Sequence, residues 1–166
     1  MKPILYDADR TSFPAGVDNG MGVLADAMSC KVTQELNGQY ELELHYPVEG
    51  IHYGEIALRA ILRATVGPDG KMQPFRVYRI VPGMNGTAAI YARHIAYDLG
   101  GYVVSPFTVA DAPSAVAAIK SHAMPTSFPF ALTTDKTTVA TMSVTVPSSA
   151  WGLLGGRQGS LLDVYG

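Results

Sequence analysis

Three features of this 166-residue sequence predict a β-rich α+β fold, an antiparallel barrel-like domain followed by a smaller α+β portion. Six or so short runs alternate apolar and polar side chains at near-regular spacing, which is the period of a half-buried strand. Glycine, proline and asparagine punctuate those runs at residues 47–50, 67–70 and 82–86. After Gly100-Gly101 the pattern changes to helix-start signals and alanine-rich spacing. Strands of this length joined by such turns favour an antiparallel barrel or sandwich. The predicted division is therefore 1–100 and 101–166.

In chain order, residues 3–6 read as a short strand, 9–22 as a polar, glycine-rich loop, and 23–27 as the approach to a hairpin. The hairpin, MSCKVTQELNGQYELELHY from Met28 to Tyr46, organises the first domain. Asn37-Gly38 is a strong hairpin signal. A two-residue turn there would set Val32 opposite Glu43, mixing apolar and polar side chains on each face. A three-residue loop, Leu36-Asn37-Gly38 with a left-handed glycine, instead pairs Val32 with Leu42, Cys30 with Leu44 and Gln34 with Tyr40. The second register is expected, with Cys30, Val32, Leu42 and Leu44 on one buried face.

Residues 53–58 fit either a short strand or a helical turn. Residues 60–66 read as a strand, and so do 73–81, with Phe75, Val77 and Arg79 on one face and Tyr78 and Ile80 on the other. A long strand is expected over 87–98. Beyond the glycine pair, Asp111 caps a helix over 112–123 with Pro113 in its first turn. Residues 128–133 and 140–146 read as a second hairpin around 134–138. Ser148 or Ser149 caps a helix carrying Trp151, Leu153 and Leu154, ended by Gly155-Gly156, and Ser160–Tyr165 begins another.

Several of these runs together resemble a known family. The short N-terminal strand followed by LADAMSCKVTQELNGQYELELHYPVEGIHYGEI, then PFRVYRI, then IYARHIAYDLGGYVVSPF, are similar in the same order to the N-terminal region of phage and prophage tail proteins. These are the tail-tip or baseplate hub proteins often labelled tail endopeptidase or tail-associated lysin. The resemblance spans nearly the whole chain. It implies a virion structural protein, usually a homotrimer, that caps the tail tube and binds the ring of distal tail protein. Tape-measure protein and DNA would leave through the passage it forms, the DNA without sequence-specific contact. Residues 1–100 would be the tube-forming domain and 101–166 the start of an incomplete second hub domain. Assembly in the host cytoplasm and a place at the tail tip follow. Where relatives carry a lytic module it lies downstream, so the chain is expected to continue past Gly166.

Composition is compatible with that role. Charged residues make up 16%, against roughly 25% in an average soluble protein, and mean hydropathy is +0.14. Such a charge-poor chain either hides surface in an assembly or buries an ordinary β core. A net charge of −2 offers no electrostatic argument for binding nucleic acid or an anionic membrane. No apolar run is long enough to span a bilayer, and MKPILYDADR lacks the pattern of a signal peptide. The one cysteine excludes a disulfide frame or a thiolate cluster, and places the chain in a reducing compartment or a particle built there.

Enzymatic readings rest on little. Asp7-Ala8-Asp9-Arg10-Thr11 resembles the first motif of haloacid-dehalogenase-type phosphotransferases, where the first aspartate attacks phosphorus and the second serves as acid or base beside Mg²⁺. That chemistry wants a parallel sheet, whereas antiparallel β follows here, so a metal-dependent phosphohydrolase using Asp7 and Asp9 is the alternative, and a solvated turn the plainer reading. Cys30 lies near His45 but across an apolar ladder, as a core residue would. His45, His52, His94 and His122 are scattered singly, without metal-ligand spacing. Gly152–Ser160 lacks the lysine of a phosphate loop; in the resembled family a similar Gly-Gly then Gly-Ser joins two helices. Asn85-Gly86-Thr87 reads as a turn. Arg76, Arg79 and Arg93 suit a solvated strand face or an assembly contact. Tyr46, Tyr53, Tyr91 and Trp151 would be the stacking residues of a carbohydrate-binding β module, the third reading. No catalytic, cofactor-binding or metal-ligating residue is assigned.

Overall fold

The computed structural model describes residues 2–13, 18–35, 38–68 and 70–166. The chain divides into two units, Met1–Ile95 and Ala96–Gly166, each around its own apolar core. It is β-rich α+β, and its larger sheet is an antiparallel half-barrel.

Among the described residues the first unit holds seven strands: β1 (Ile4–Tyr6), β2 (Gly22–Val23), β3 (Ser29–Gln34), β4 (Tyr40–Pro47), β5 (Ile61–Val66), β6 (Lys71–Pro82) and β7 (Thr87–His94). They pair antiparallel throughout in the order β2-β1-β5-β6-β7-β4-β3. Between β3 and β4, Val32 faces Leu42, Cys30 faces Leu44 and Gln34 faces Tyr40. The Glu35 amide donates to the Gln39 carbonyl at 2.9 Å, closing a three-residue loop. This is the register expected from side-chain facing. The left-handed φ expected at Gly38 is not found, and Leu36 and Asn37 of its loop lie outside the described residues. An equivalent loop does join β6 to β7: the Gly83 amide donates to the Thr87 carbonyl at 2.8 Å, and Gly86 takes φ +75°. Asn85-Gly86-Thr87 is thus a turn, with Asn85 Oδ1 accepting from the Thr87 amide.

Inward rows cross the sheet from strand to strand. Val32, Leu42, Ala92 and Val77 form one, and Cys30, Leu44, Ile90 and Ile80 the next. The second row depends on a feature that uninterrupted alternation misses. Val77 pairs with Ala92 but Arg79 pairs with Tyr91, leaving Tyr78 as an extra residue in a bulge. Ile80 therefore joins Phe75 and Val77 inside, while Tyr78 and Arg79 are both exposed. Strict alternation would have buried the Arg79 guanidinium and exposed Ile80. A bulge gives up one ladder step and avoids that uncompensated charge. Arg79 lies 5.3 Å from the centre of the Tyr91 ring instead. Residues 53–58 resolve into a 3-10 turn, Tyr53–Glu55. The expected strand over 87–98 stops at His94 and passes into a 3-10 turn, Ile95–Gly101, because Leu99 is drawn into the core of the second unit.

The second unit contains β8 (Val103–Val104), β9 (Phe107–Asp111), α1 (Ala112–Ser121), β10 (Ala123–Met124), β11 (Val139–Val144), β12 (Ser148–Ser149), α2 (Ala150–Leu154) and α3 (Leu161–Tyr165). β10, β8 and β12 form a small antiparallel sheet, and β11 pairs with β9. α1 starts at the expected cap: Asp111 Oδ1 accepts from the Ser114 amide at 2.7 Å, which holds the carboxyl below its usual pKa range. α1 buries Ala112, Ala115, Ala118 and Ile119. Asp111→Ala is expected to lower the thermal midpoint by a few degrees while Asp111→Asn largely retains it, as read from circular-dichroism melts.

The hairpin expected from 128–133 and 140–146 does not form. β11 pairs with β9 instead, with Val144 opposite Phe107, and residues 128–133 remain unpaired. α2 is capped by Ser149, whose Oγ accepts from the Gly152 amide. Ser160 makes no side-chain cap, and Asp163 Oδ2 accepts from the Gly159 amide at 2.7 Å. Of the C-terminal apolar residues, Leu153 and Tyr165 are buried, Leu154, Leu161 and Val164 half-buried, and Trp151 and Leu162 exposed. Their burial within the unit is partial.

Candidate functional site: an open sheet edge

The half-barrel leaves two ends to its sheet, and they differ. β2 offers two residues, and the His52 ring packs against it so closely that a Cβ on Gly22 would fall 2.2 Å from Nε2. β3 offers six residues and ends the sheet. Backbone groups alternate in direction along an antiparallel pair. Since the Glu35 amide points at β4, so do those of Thr33, Lys31 and Ser29. The amides and carbonyls of Gln34, Val32 and Cys30 therefore point away from the sheet. Such an edge is a template for another strand, and proteins usually blunt it with charge, proline or a bulge. Here the described residues of β3 carry only Lys31 as a charge.

The outer face beside this edge is polar and cross-paired. Lys31 sits opposite Glu43, Glu41 opposite Arg93, and Arg93 opposite Arg76. Arg76 donates to the carbonyls of Ala8 and Arg59, both at 2.9 Å. Tyr78 reaches Glu41 Oε2 at 3.4 Å, and His45 Nε2 lies 3.0 Å from Glu43 Oε1. The three arginines thus share the outer face, Arg79 only because the bulge at Tyr78 turns it there.

Asp7 and Asp9 lie at the end of β1 and are both exposed. Asp7 Oδ1 accepts from the Asp9 amide at 3.0 Å, which is the geometry of an Asx turn. β1 is flanked by antiparallel β2 and β5, not by the parallel neighbours that bring further carboxylates and a lysine to a phosphotransfer site. Arg10 pairs with Asp18 at 2.7 Å. Among the described residues no three of His, Cys, Asp and Glu converge on a point. Burial pushes the Cys30 thiol up to about 11, and His45 lies on the opposite face of the hairpin, so the two form no nucleophile–base pair.

The remaining candidates are dispersed. His52 Nδ1 lies 3.2 Å from both Glu55 oxygens, and His122 is exposed beside Phe107. Tyr46 is fully buried, its hydroxyl donating to the Ile51 carbonyl, which removes it as a sugar platform. Tyr91 lies under Arg79 and Tyr53 is half-buried against the core. Trp151 is exposed but stacks on Tyr97, with ring centres 5.2 Å apart. In the Gly152–Ser160 loop, Arg157 donates to Ser148 Oγ at 2.9 Å, so its one cation is engaged in the fold.

Sequence reasoning missed the surroundings of His94. Its ring stacks on Tyr40 at 4.5 Å, meets Phe75 edge-on at 5.6 Å, and has Gln73 Oε1 3.2 Å from Nε2. Burial lowers its pKa to about 4. Among the described residues no helix is long and apolar enough to cross a membrane. The chain matches no protein-family model, no curated protein and no solved structure.

Proposed function

We propose that this chain is a structural subunit of a phage tail tip, in the hub position. It works as a homotrimer that caps the tail tube, contacts the ring of distal tail protein, and frames the exit for tape-measure protein and DNA. The role is mechanical rather than catalytic, and its place is the virion. The observation that carries this reading is the curled antiparallel sheet left open at a six-residue edge with little charge to blunt it. The ordered resemblance of three sequence runs to tail-hub proteins and the low charge content support it. In such a particle, subunits continue one sheet into the next, so edges that would invite aggregation are satisfied by symmetry.

Light scattering on the purified chain, alone and with a distal tail protein, tests this. The expected result is a trimer, or entry into a larger ring when the partner is present. A strict monomer under both conditions overturns the reading.

A further inference from the structure

β3 is the open end of the large sheet, since the other end, β2, is two residues long and lies under the His52 ring. Two charges beside its outward backbone groups lack ionic partners. Lys31 faces Glu43 across the sheet, but Glu43 turns to His45, with Oε1 3.0 Å from Nε2. The Glu35 carboxylate accepts from Gln39 Nε2 at 3.3 Å. Among the described residues neither Lys31 nor Glu35 forms an ion pair, and both are exposed. They lie four residues apart and so share the outer face, where one antiparallel strand can meet both.

We propose that β3 pairs antiparallel with β3 of a second copy, across a two-fold axis at Thr33. Within β3 only Cys30, Val32 and Gln34 point their backbone groups outward, so these must bond among themselves. The two-fold registers that pair more than one of them are centred on Lys31, Val32 or Thr33. The first sets Lys31 opposite Lys31, which is repulsive. The second sets Lys31 opposite Thr33 and diagonal to Lys31 and Glu35 alike, so charge gains nothing. The third sets Lys31 opposite Glu35 on both sides of the axis, and Thr33 opposite Thr33. Val32 then bonds with Gln34, and the whole contact lies within residues 31–35. An exposed ion pair adds little by itself, so charge selects the register while the backbone bonds supply the contact. A two-fold contact cannot close a three-fold ring. The dimer therefore does not rest on the hub reading; it shields β3 in the free chain and opens when the distal tail partner draws subunits into the ring.

Lys31→Glu and Glu35→Lys test this by sedimentation over a concentration series. The parent chain is expected to dimerise. Each variant alone is expected to weaken the dimer by about tenfold or more, since both cross-axis pairs become like-charged. Mixing the two variants restores pairing, because each then meets its opposite charge, and so does combining both substitutions in one chain. Recovery on mixing also shows that both variants fold. Hydrogen exchange at the Val32 and Gln34 amides is expected to slow on dimerisation, with the Lys31 and Thr33 amides, already directed at β4, unchanged. A parent that stays monomeric overturns the dimer, and a trimer of the chain alone overturns it while leaving the hub reading standing. A dimer that ignores both charge changes, or leaves Val32 and Gln34 exchanging as before, pairs elsewhere and overturns it as well.

Discussion

Phe75→Ala is expected to destabilise the first unit by about 3–5 kcal/mol, the usual range for deleting a large buried aromatic. Phe75 is fully buried on β6, opposite Leu62 on one side and His94 on the other. Its ring also meets Tyr40 edge-on at 5.2 Å. Truncation removes the transfer free energy of the ring and leaves a cavity bounded by β4, β5 and β7. These walls are hydrogen-bonded strands and cannot collapse inward without breaking their ladders. Phe75→Leu keeps most of the volume and should cost about 1–2 kcal/mol. Urea unfolding followed by tyrosine fluorescence separates the two outcomes. A loss below about 1 kcal/mol for the alanine variant would mean that the row through Leu5, Leu62, Phe75 and His94 is not the centre of the core.

The second large effect is expected on acidification. His94 titrates near 4 in the folded chain because burial disfavours the imidazolium, against about 6.5 when unfolded. The unfolded state therefore binds the proton first as pH falls. Stability conferred by the neutral ring is complete above about pH 6.5 and declines between pH 6.5 and 4. The full shift corresponds to roughly 3 kcal/mol, and about 2 kcal/mol is expected because water still reaches part of the ring. Urea midpoints at pH 7 and pH 4.5 measure the loss. His94→Phe keeps the stack on Tyr40, forgoes the contact with Gln73, and should flatten the dependence over this window. An equally steep dependence in that variant would assign the titration to other groups.

Much of the first unit was readable from residue order because its decisive contacts are local. The β3–β4 register followed from one requirement, that apolar side chains share a face, and Cys30, Val32, Leu42 and Leu44 obey it. Turns at Gly83–Thr87 and the cap at Asp111 are set within five residues, by a glycine tolerating φ +75° and a carboxylate three residues from an amide. The outward direction of Arg76, Arg79 and Arg93 follows from the cost of burying charge, even though the alternation was one residue out at Arg79.

What only the tertiary structure decided lies where distant segments compete for the same groups. The bulge at Tyr78 exists because β7 presents Tyr91 and Ile90 at fixed positions, a constraint absent from β6 itself. β11 chose β9 over the nearer segment 128–133, whose Pro129 lacks an amide and whose aromatic residues pack on Tyr102. The strand signal in FPFALT is real, but pairing needs a partner with free backbone groups, and the fold had already committed those elsewhere. The environment of His94 is likewise assembled from three strands, Tyr40 on β4, Gln73 and Phe75 on β6, and the histidine on β7. The low pKa arises from their convergence, because desolvation depends on what closes around the ring and not on its sequence neighbours.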